Sequence, residues 1–497
     1  MNVRKRFKIF TLAFCFLISG NAQAHIGSPN VFFQGLAGSY PIRVTIQPPG
    51  VVPGLAQIQV VVSSGEASRV AVRPVRWDVG VKGSPAPDTA VLVPGETNMY
   101  SAQLWLMKSG AYSVFVEISG SRGDGIAIVP LNSVAMQRLE MSRSMELLFM
   151  VVGSFVAVLL ISVVGAAIRE ARLEPGTEFS SRQRGKGWVA RAITAIVIGA
   201  ALFGGNLWWN SVDKDYRYRR LYQPQTIRMK LDTSATGEQR LTLRFKPESR
   251  MDSTPLVADH GRLMHLFLIR EPDAGVFAHL HPIRKPRDPD DDSEETKFTA
   301  NLPSLPAGNY KLYADITHES GLTQTLTNML TIPAEAASSR TDETLATFDD
   351  SVSLSPPVEL SSMTFPGGFR LAPGFSATLQ ANQETNLVFQ MTTADGAPAP
   401  LEPYLGMYGH LIIENSDGTV FNHIHPLGSV SMEAQRLFAE REKSGFLANK
   451  PLEQFCTAAM PELSFPYAFP KAGIYRLWLQ TKVAGKILTG AYSVTVK

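Results

Sequence analysis

Cysteine is nearly missing from this chain of 497 residues, which contains only Cys15 and Cys456. Cys15 falls in an N-terminal leader, so the mature chain cannot form an internal disulfide, and Cys456 is expected to be a lone thiol. An excess of charge of one sign is missing as well, because the formal net charge is only +3. No basic stripe or RNA-binding motif is present, so no nucleic-acid partner is expected.

The signatures of several enzyme classes are also missing. The sequence has no Ser-His-Asp ordering, no phosphate-binding loop and no nucleotide fingerprint. The length of 497 residues predicts several domains rather than one. The chemistry must therefore be sought in residues that recur between domains.

The N-terminus has the pattern of a secretory signal peptide over residues 1–24. Basic residues precede the apolar run Ile9–Ile18, and Ala22-Gln23-Ala24 fits the small-x-small cleavage rule. Cleavage would leave His25 as the first residue, where its α-amine and imidazole could chelate one metal ion, an arrangement that copper favours. The alternative is that His25 simply follows the cleavage point and has no ligand role.

Two apolar runs in the middle of the chain predict a transmembrane hairpin. Residues 147–168 carry no charge and are long enough to span a bilayer, and residues 192–209 end in two tryptophans, as is typical of a membrane interface. The basic loop 169–191 between them is expected in the cytoplasm. Neither span contains an ionisable residue, so we expect an anchor in the inner (cytoplasmic) membrane rather than a transport path. The flanking modules would face the periplasm or the cell exterior.

The rest of the chain predicts a mainly β fold with three Ig-like antiparallel β-sandwich modules. The modules are expected over residues 25–135, 225–333 and 361–497, with a linker at 334–360. A short helix is predicted within the third module at Ser431–Lys443, and Asp288–Glu295 is expected to be a solvated loop. Five β-prone runs mark the first module: Ile42–Gln47, Ala56–Ser63, Val70–Val75, Tyr100–Leu106 and Tyr112–Ile118.

A Gly-x-Tyr motif indicates that the three modules are repeats. It occurs as Gly110-Ala-Tyr112, Gly308-Asn-Tyr310 and Gly473-Ile-Tyr475, each followed by an alternating apolar run. Recurrence of one short motif before one type of strand is typical of a repeated β unit. The first module lacks the His-x-His pair that the other two contain.

A predicted hairpin in the third module brings histidines together. Asp417-Gly418, flanked by apolar β-prone runs, predicts a type I′ turn. The resulting register puts His410 opposite His425, and it puts His423 two residues along on the same face. Three imidazoles therefore converge on one patch of sheet.

The second module repeats this arrangement with His265, His279 and His281. One additional residue separates the first histidine from the pair, and a longer turn around Pro272–Gly275 can absorb it. His260 and His318 have no counterpart in the third module, so we expect them to be structural or exposed.

Three imidazoles on a rigid sheet face form a preset metal site. Sulfur atoms near the motifs favour copper over zinc, although such side chains are more often core filler. With zinc, an open three-histidine site would be catalytic in type, and Glu414 is the nearest candidate base for a hydrolase. The other alternative is an interaction scaffold with structural histidines. The neighbouring sulfurs belong to Met264, Met407, Met432, Cys456 and Met460.

The block His265…His279-x-His281-Pro, followed by residues 305–313, resembles a module of uncharacterised bacterial exported proteins that often occur beside copper-handling systems. The start His25-Ile-Gly-Ser-Pro resembles exported β-sandwich proteins of the YtkA-like and copper-resistance C types, in which an N-terminal histidine can ligate copper. The first module lacks the downstream histidines of a copper-resistance C site. The resemblance implies an extracytoplasmic metal-binding protein that sequesters, delivers or senses copper, with a partner protein of a metal-handling system.

Overall fold

The protein is described here by a computed structural model, which divides into two compact units, Met1–Ser133 with Gln223–Lys497 and, separately, Val134–Tyr222. The predicted signal peptide, His25, Cys456 and Met460 lie outside the described residues. Most of the predicted acidic loop does too. The described residues are 30–171, 173–174, 176–235, 237–247, 254–287, 295–334, 349–442 and 462–497.

The first module is an antiparallel β-sandwich, as predicted, and each of the five predicted runs coincides with a strand. Its strands are β1 (Val31–Ala37), β2 (Tyr40–Gln47), β3 (Gly54–Val62), β4 (Ala67–Arg76), β5 (Asp88–Thr89), β6 (Val91–Leu92), β7 (Met99–Leu106), β8 (Gly110–Gly120) and β9 (Gly123–Ser133). One sheet has the order β1-β2-β3-β7-β6 and the other β5-β4-β8-β9. Alternate residues of β3 point into the core between the sheets.

The second module has a four-stranded sheet facing a larger one. Its strands are β10 (Arg228–Thr233), β11 (Gln239–Phe245), β12 (Leu256–Val257), β13 (His265–Glu271), β14 (Phe277–Leu280), β15 (Ile283–Arg284), β16 (Thr296–Leu302), β17 (Gly308–His318), β18 (Thr323–Ile332) and β19 (Ser351–Ser353). The smaller sheet has the order β10-β11-β16-β15. The larger has β12-β17-β13-β14-β19, with β18 paired to β17.

The third module is built in the same way and contains the short helix α3 (Met432–Arg441), as predicted. Its strands are β20 (Val358–Glu359), β21 (Met363–Thr364), β22 (Arg370–Pro373), β23 (Thr378–Leu379), β24 (Glu384–Thr392), β25 (Leu401–Glu402), β26 (His410–Asn415), β27 (Phe421–Ile424), β28 (Glu462–Ala468), β29 (Gly473–Val483) and β30 (Lys486–Val496). One sheet has the order β21-β22-β24-β28. The other has β20-β30-β29-β26-β27, with β23 on β30 and β25 on β29.

The strands that begin at the Gly-x-Tyr motif are alike in the three modules. Strands β8, β17 and β29 each contain 11 residues and start at a glycine with φ between 144° and 148°. That backbone conformation requires glycine. In the second and third modules the motif tyrosine donates a hydrogen bond to the carbonyl four residues upstream, at 2.6 Å for Tyr310 and 2.9 Å for Tyr475.

The second and third modules pack against each other through the sheets that carry their histidine hairpins. The Phe277 ring stacks on Trp478 with centroids 5.0 Å apart, and Phe421 stacks on Tyr313 at 4.0 Å. Each module thus contributes one phenylalanine that stacks on an aromatic side chain of the other module. The shared apolar cluster consists of Phe267, Ile269, Ala274, Phe277, Tyr313, Ile412, Phe421, Trp478 and Ala491.

The hairpin of β26 and β27 has the predicted register, with Ile412 opposite His423. Its turn differs from the prediction. The Gly418 amide donates to the Asn415 carbonyl at 2.7 Å, so Gly418 takes the last turn position rather than a central one. The Asn415 side chain also accepts from the Asp417 amide at 3.1 Å, a local bond that competes with a type I′ turn. The register is the same because both loops are centred on the Asp-Gly bond.

The second unit contains the helices α1 (Arg143–Glu170) and α2 (Ser181–Arg219), which pack together as a hairpin. Both are long and apolar enough to cross a membrane, and their most apolar windows are 0% and 6% buried. Helix α2 begins before the predicted span, inside the predicted basic loop. It does so because Ser180 and Gln183 form a capping box.

Candidate metal centre

Alternation along the hairpin strands separates the histidines from the module cores. In β13, Leu266 lies in the apolar core of the second module, whereas the neighbouring His265 faces the third module. The same holds in β26, where Leu411 enters its own core and His410 faces outward. Successive side chains of a strand point to opposite faces, so the histidines meet where the two modules meet.

Each hairpin brings its three histidines into one potential metal site. The ligand nitrogens of His265, His279 and His281 all lie within 4.8 Å of one another. Those of His410, His423 and His425 do the same. We call these sets triad A and triad B. The three histidines of each hairpin therefore converge, and each set could hold a metal ion.

Hydrogen bonds fix the tautomers of two rings in triad A. Nε2 of His265 lies 3.1 Å from the Asp259 carbonyl, which can only accept, so Nε2 carries the proton and Nδ1 has a lone pair. Nδ1 of His279 lies 2.8 Å from Oε1 of Gln480, so it donates, and Nε2 of His279 has the lone pair. These two lone-pair nitrogens face each other at 3.1 Å.

A cation between the two nitrogens would remove this repulsion. Two nitrogens bound to one ion at ~2.0–2.1 Å lie about 3 Å apart when the bond angle is about 90–110°. The separation of 3.1 Å fits that geometry. Without a cation, two buried acceptors have no donor between them, which is unfavourable. The pair could therefore hold a metal ion.

The third histidine of triad A is oriented by a carboxylate. Nδ1 of His281 donates to Asp350 at 3.0 Å, and the His281 backbone amide donates to the same oxygen at 2.9 Å. The remaining nitrogen, Nε2, is buried and has no hydrogen-bond partner. A carboxylate behind a ligating imidazole fixes its tautomer and raises its basicity.

Triad B repeats the arrangement of triad A. Nε2 of His410 donates to the Tyr404 carbonyl at 2.8 Å, which leaves its Nδ1 facing Nε2 of His423 at 3.0 Å. Nδ1 of His423 points to the Asp315 carboxylate at 3.7 Å. Nε2 of His425 is buried without a partner. The close approach of two ring nitrogens thus occurs in both triads.

The two modules exchange the residues that support their histidines. Asp315 is the register partner of His265 in the second module, yet its carboxylate faces His423 of the third. Gln480 is the register partner of His410 in the third module, yet it accepts from His279 of the second. Each triad is therefore completed only when the two modules are packed together.

The cluster environment opposes protonation. Burial, followed by the charge that neighbouring histidines would carry, holds the pKa of His265, His279, His423 and His425 well below the usual value. Burial is also the main reason that the pKa of His410 is lowered to about 3. At neutral pH these imidazoles carry lone pairs, the form in which they bind metal.

The two triads form one contiguous cluster. Ring centroids of His265 and His423 are 5.3 Å apart, and those of His279 and His410 are 6.4 Å apart. Two ions, one in each triad, would be close neighbours. The sequence predicts the duplication of the motif but not this meeting of its two copies.

Two stretches of the chain, 222–333 and 369–497, match a family described as Domain of unknown function (DUF8832), and they coincide with the second and third modules. No curated protein matches the chain. Among solved structures it is similar to an endo-fucoidan hydrolase from glycoside hydrolase family 107, at 8% identity and a TM-score of 0.12 over 90% of this chain and 43% of that chain. It is also similar to Escherichia coli alpha-2-macroglobulin activated by porcine elastase, at 9% identity and a TM-score of 0.19 over 94% of this chain and 44% of that chain. The chain spans less than half the length of each, and scores this low carry no argument.

His260 is a member of the cluster that the sequence interpretation missed. Its ring centroid lies 4.3 Å from that of His425 and 5.7 Å from that of His410. A comparison of the two repeats does not reveal His260 as a cluster member, because the corresponding position, five residues before His410, is Leu405. By contrast His318 has a structural role, since both of its ring nitrogens have protein partners.

Asp350 was missed for a different reason. It belongs to the stretch that was expected to be a linker, yet Ser351–Ser353 forms β19, which pairs with β14 beside His279. The Ser and Asp content suggested a loop, but it does not exclude an edge strand anchored by a histidine.

Two sequence-based arguments about chemistry change. Met264, which adjoins His265, packs in the apolar core of its module, so it does not supply a sulfur ligand. Glu414, the candidate base of a hydrolase, is buried against Lys311 at 2.9 Å and Arg476 at 3.3 Å. Its carboxylate is committed to ion pairs that hold the modules together rather than to activating water.

Proposed function

We propose that this protein is a membrane-anchored extracytoplasmic metal-binding protein that holds a transition metal, copper in the first place, in paired histidine triads. One observation carries the proposal. In each triad two imidazole nitrogens face each other, at 3.1 Å in triad A and 3.0 Å in triad B, and in triad A the hydrogen bonds on the far side of both rings leave no donor between them. A bound cation is the simplest partner for both nitrogens at once.

The donor set supports copper or zinc. Both triads consist of imidazole nitrogens, which suit zinc, copper, iron and nickel. Among divalent ions a site of this kind has its highest affinity for Cu²⁺ according to the Irving–Williams order. The preference for copper therefore rests on the affinity order and on the resemblance to copper-handling exported proteins, and no longer on sulfur ligands.

Binding is favoured over hydrolysis by the surroundings of the triads. The carboxylates beside them orient the rings, as Asp350 does for His281 at 3.0 Å. Glu414 is engaged in ion pairs. Sequestration or delivery requires ligands of the correct tautomer and a buried site, and both features are built into the cluster.

The membrane anchor has a testable sidedness. A reporter fused at Gln183, between the apolar spans, should behave as cytoplasmic, because the signal peptide exports the first module and the basic segment stays inside. A reporter fused at Lys497 should behave as exported. Alkaline phosphatase and a cytoplasmic fluorescent reporter at each position measure this. The reverse pattern would contradict an extracytoplasmic location of the triads.

Removal of two ligands from triad B tests the metal site. The double variant His423→Ala with His425→Ala should lose one of two bound equivalents of copper, because triad A keeps its own three nitrogens. Metal content of the detergent-purified full chain, by mass spectrometry and by titration with Cu²⁺ and Zn²⁺, measures the stoichiometry.

The matched control is His318→Gln, which changes a buried histidine outside the cluster. It should keep both equivalents. If the double variant binds copper and zinc as the parent does, the metal proposal fails and the histidines belong to an interaction scaffold.

A further inference from the structure

One difference between the two triads is the presence of His260 beside triad B. We propose that His260, which is carried by the second module, is a fourth ligand of the metal bound by His410, His423 and His425 of the third module. This inference rests on the proposed function. It makes one site a closed four-histidine site and leaves the other with three histidines and an open position.

The position of the His260 ring supports this assignment. Its centroid lies 4.3 Å from His425 and 5.7 Å from His410, but 6.3 Å from His265 of its own module. The side chain is only 4% exposed, and its buried Nε2 has no hydrogen-bond partner, with the Asp259 carboxylate 3.9 Å away. Nε2 of His425 is unpartnered in the same way. Two neighbouring buried nitrogens that lack hydrogen-bond partners are expected where a metal ion with four ligands would bind.

The backbone holds His260 there in a conformation that histidine tolerates only at a cost. Residues 259–262 form a tight turn with two bonds of 3.0 Å between Asp259 and Arg262, in which His260 has a φ of 52° and Gly261 a φ of 77°. A positive φ is unfavourable for a residue other than glycine. The turn also presents the carbonyl of Asp259 to Nε2 of His265. The turn therefore supports triad A through the Asp259 carbonyl, while the His260 side chain extends to triad B.

The third module contains the same turn with a different side chain. Tyr404 and Met407 bond to each other at 2.7 and 3.0 Å, and Leu405 and Gly406 have φ values of 51° and 78°. The carbonyl of Tyr404 accepts from Nε2 of His410, as that of Asp259 does from His265. Leu405 is thus the exact positional counterpart of His260 and offers no ligand. The difference between the two sites depends on this single pair of residues.

The two bound ions would therefore have different roles. Zinc and copper sites with four protein ligands hold the ion closed, whereas three ligands leave a position for water or for an incoming donor. The ion in triad B would be retained, and the ion in triad A would exchange with a donor from outside. Copper delivery would then use triad A.

The test uses the full-length chain in detergent, titrated with Cu²⁺ and followed by electron paramagnetic resonance. The parent should bind two equivalents of unequal affinity, the tighter one with four nitrogen ligands. Replacement of His260 by leucine, as at position 405, should weaken that equivalent roughly 100-fold and reduce its nitrogen count to three. The reciprocal change Leu405→His should strengthen the other equivalent and add a nitrogen to it.

A second variant controls for loss of folding. Asparagine tolerates positive φ, so His260→Asn keeps the turn while it removes the imidazole, and it should reproduce the weakened equivalent with a normal melting curve. If the parent binds two equivalents and neither His260 variant changes affinity or nitrogen count, the four-ligand assignment is overturned while the proposed function stands. If the parent binds no metal, both are overturned.

Discussion

Removal of metal from the purified protein is expected to lower its free energy of unfolding by about 8 kcal/mol. Each of the two sites contributes ~4 kcal/mol when the free metal concentration is about 1,000 times the dissociation constant of that site. The physical reason lies in the close facing nitrogens of His265 and His279, and of His410 and His423. Metal binds the folded arrangement of these nitrogens, whereas the unfolded chain holds them far apart.

Thermal and urea unfolding of the metal-loaded and the chelator-treated protein measure this difference. A double variant, His279→Gln with His423→Gln, removes one nitrogen from each facing pair and serves as the control. Its loaded and stripped forms should unfold within about 3 kcal/mol of each other, since a 100-fold loss of affinity leaves only ~1.4 kcal/mol per site at that metal concentration. Equal stability of the loaded and stripped parent would contradict metal binding by the folded cluster.

The positions of the triads within each hairpin could be predicted from the sequence because two strong local signals agree. Alternation of apolar residues along β26 and β27 identifies which side chains share a face, and the Asp-Gly pair centres the loop. The prediction of Ile412 opposite His423 therefore holds even though the turn type is wrong. Local bonds around Asn415 decide the turn, and short-range sequence patterns do not rank such bonds against each other.

The meeting of the two triads could not be predicted, because it depends on contacts between residues about 200 positions apart. Stacking of Phe277 on Trp478 sets the packing of the two sheets, and nothing in either segment alone specifies the other as its partner. The same packing brings Gln480 to His279. His260 is hidden for a related reason, because its target belongs to the other module and its own repeat counterpart is a leucine.

The metal-free protein is expected to be strongly destabilised by mild acid. The folded-state pKa values of His265, His279, His410, His423 and His425 all lie below the ordinary value of about 6.5, because burial disfavours the charged form. In the unfolded chain these histidines take up protons once the pH falls below about 6.5, while in the folded protein they do not. Stability is therefore complete above about pH 6.5 and is lost progressively as the pH falls towards the folded-state values.

Each such histidine costs up to ~1.4 kcal/mol per pH unit, so the loss between pH 7 and pH 5.5 should reach roughly 5 kcal/mol for the five together. Urea unfolding of the stripped protein at half-unit pH intervals measures the slope, which counts the protons taken up. His279→Gln with His423→Gln should reduce that slope by about two protons, or ~2.7 kcal/mol per pH unit. A stability that stays flat from pH 7 to pH 5.5 would mean that the imidazoles accept protons in the folded state, and the buried neutral cluster on which both metal sites depend would have to be abandoned.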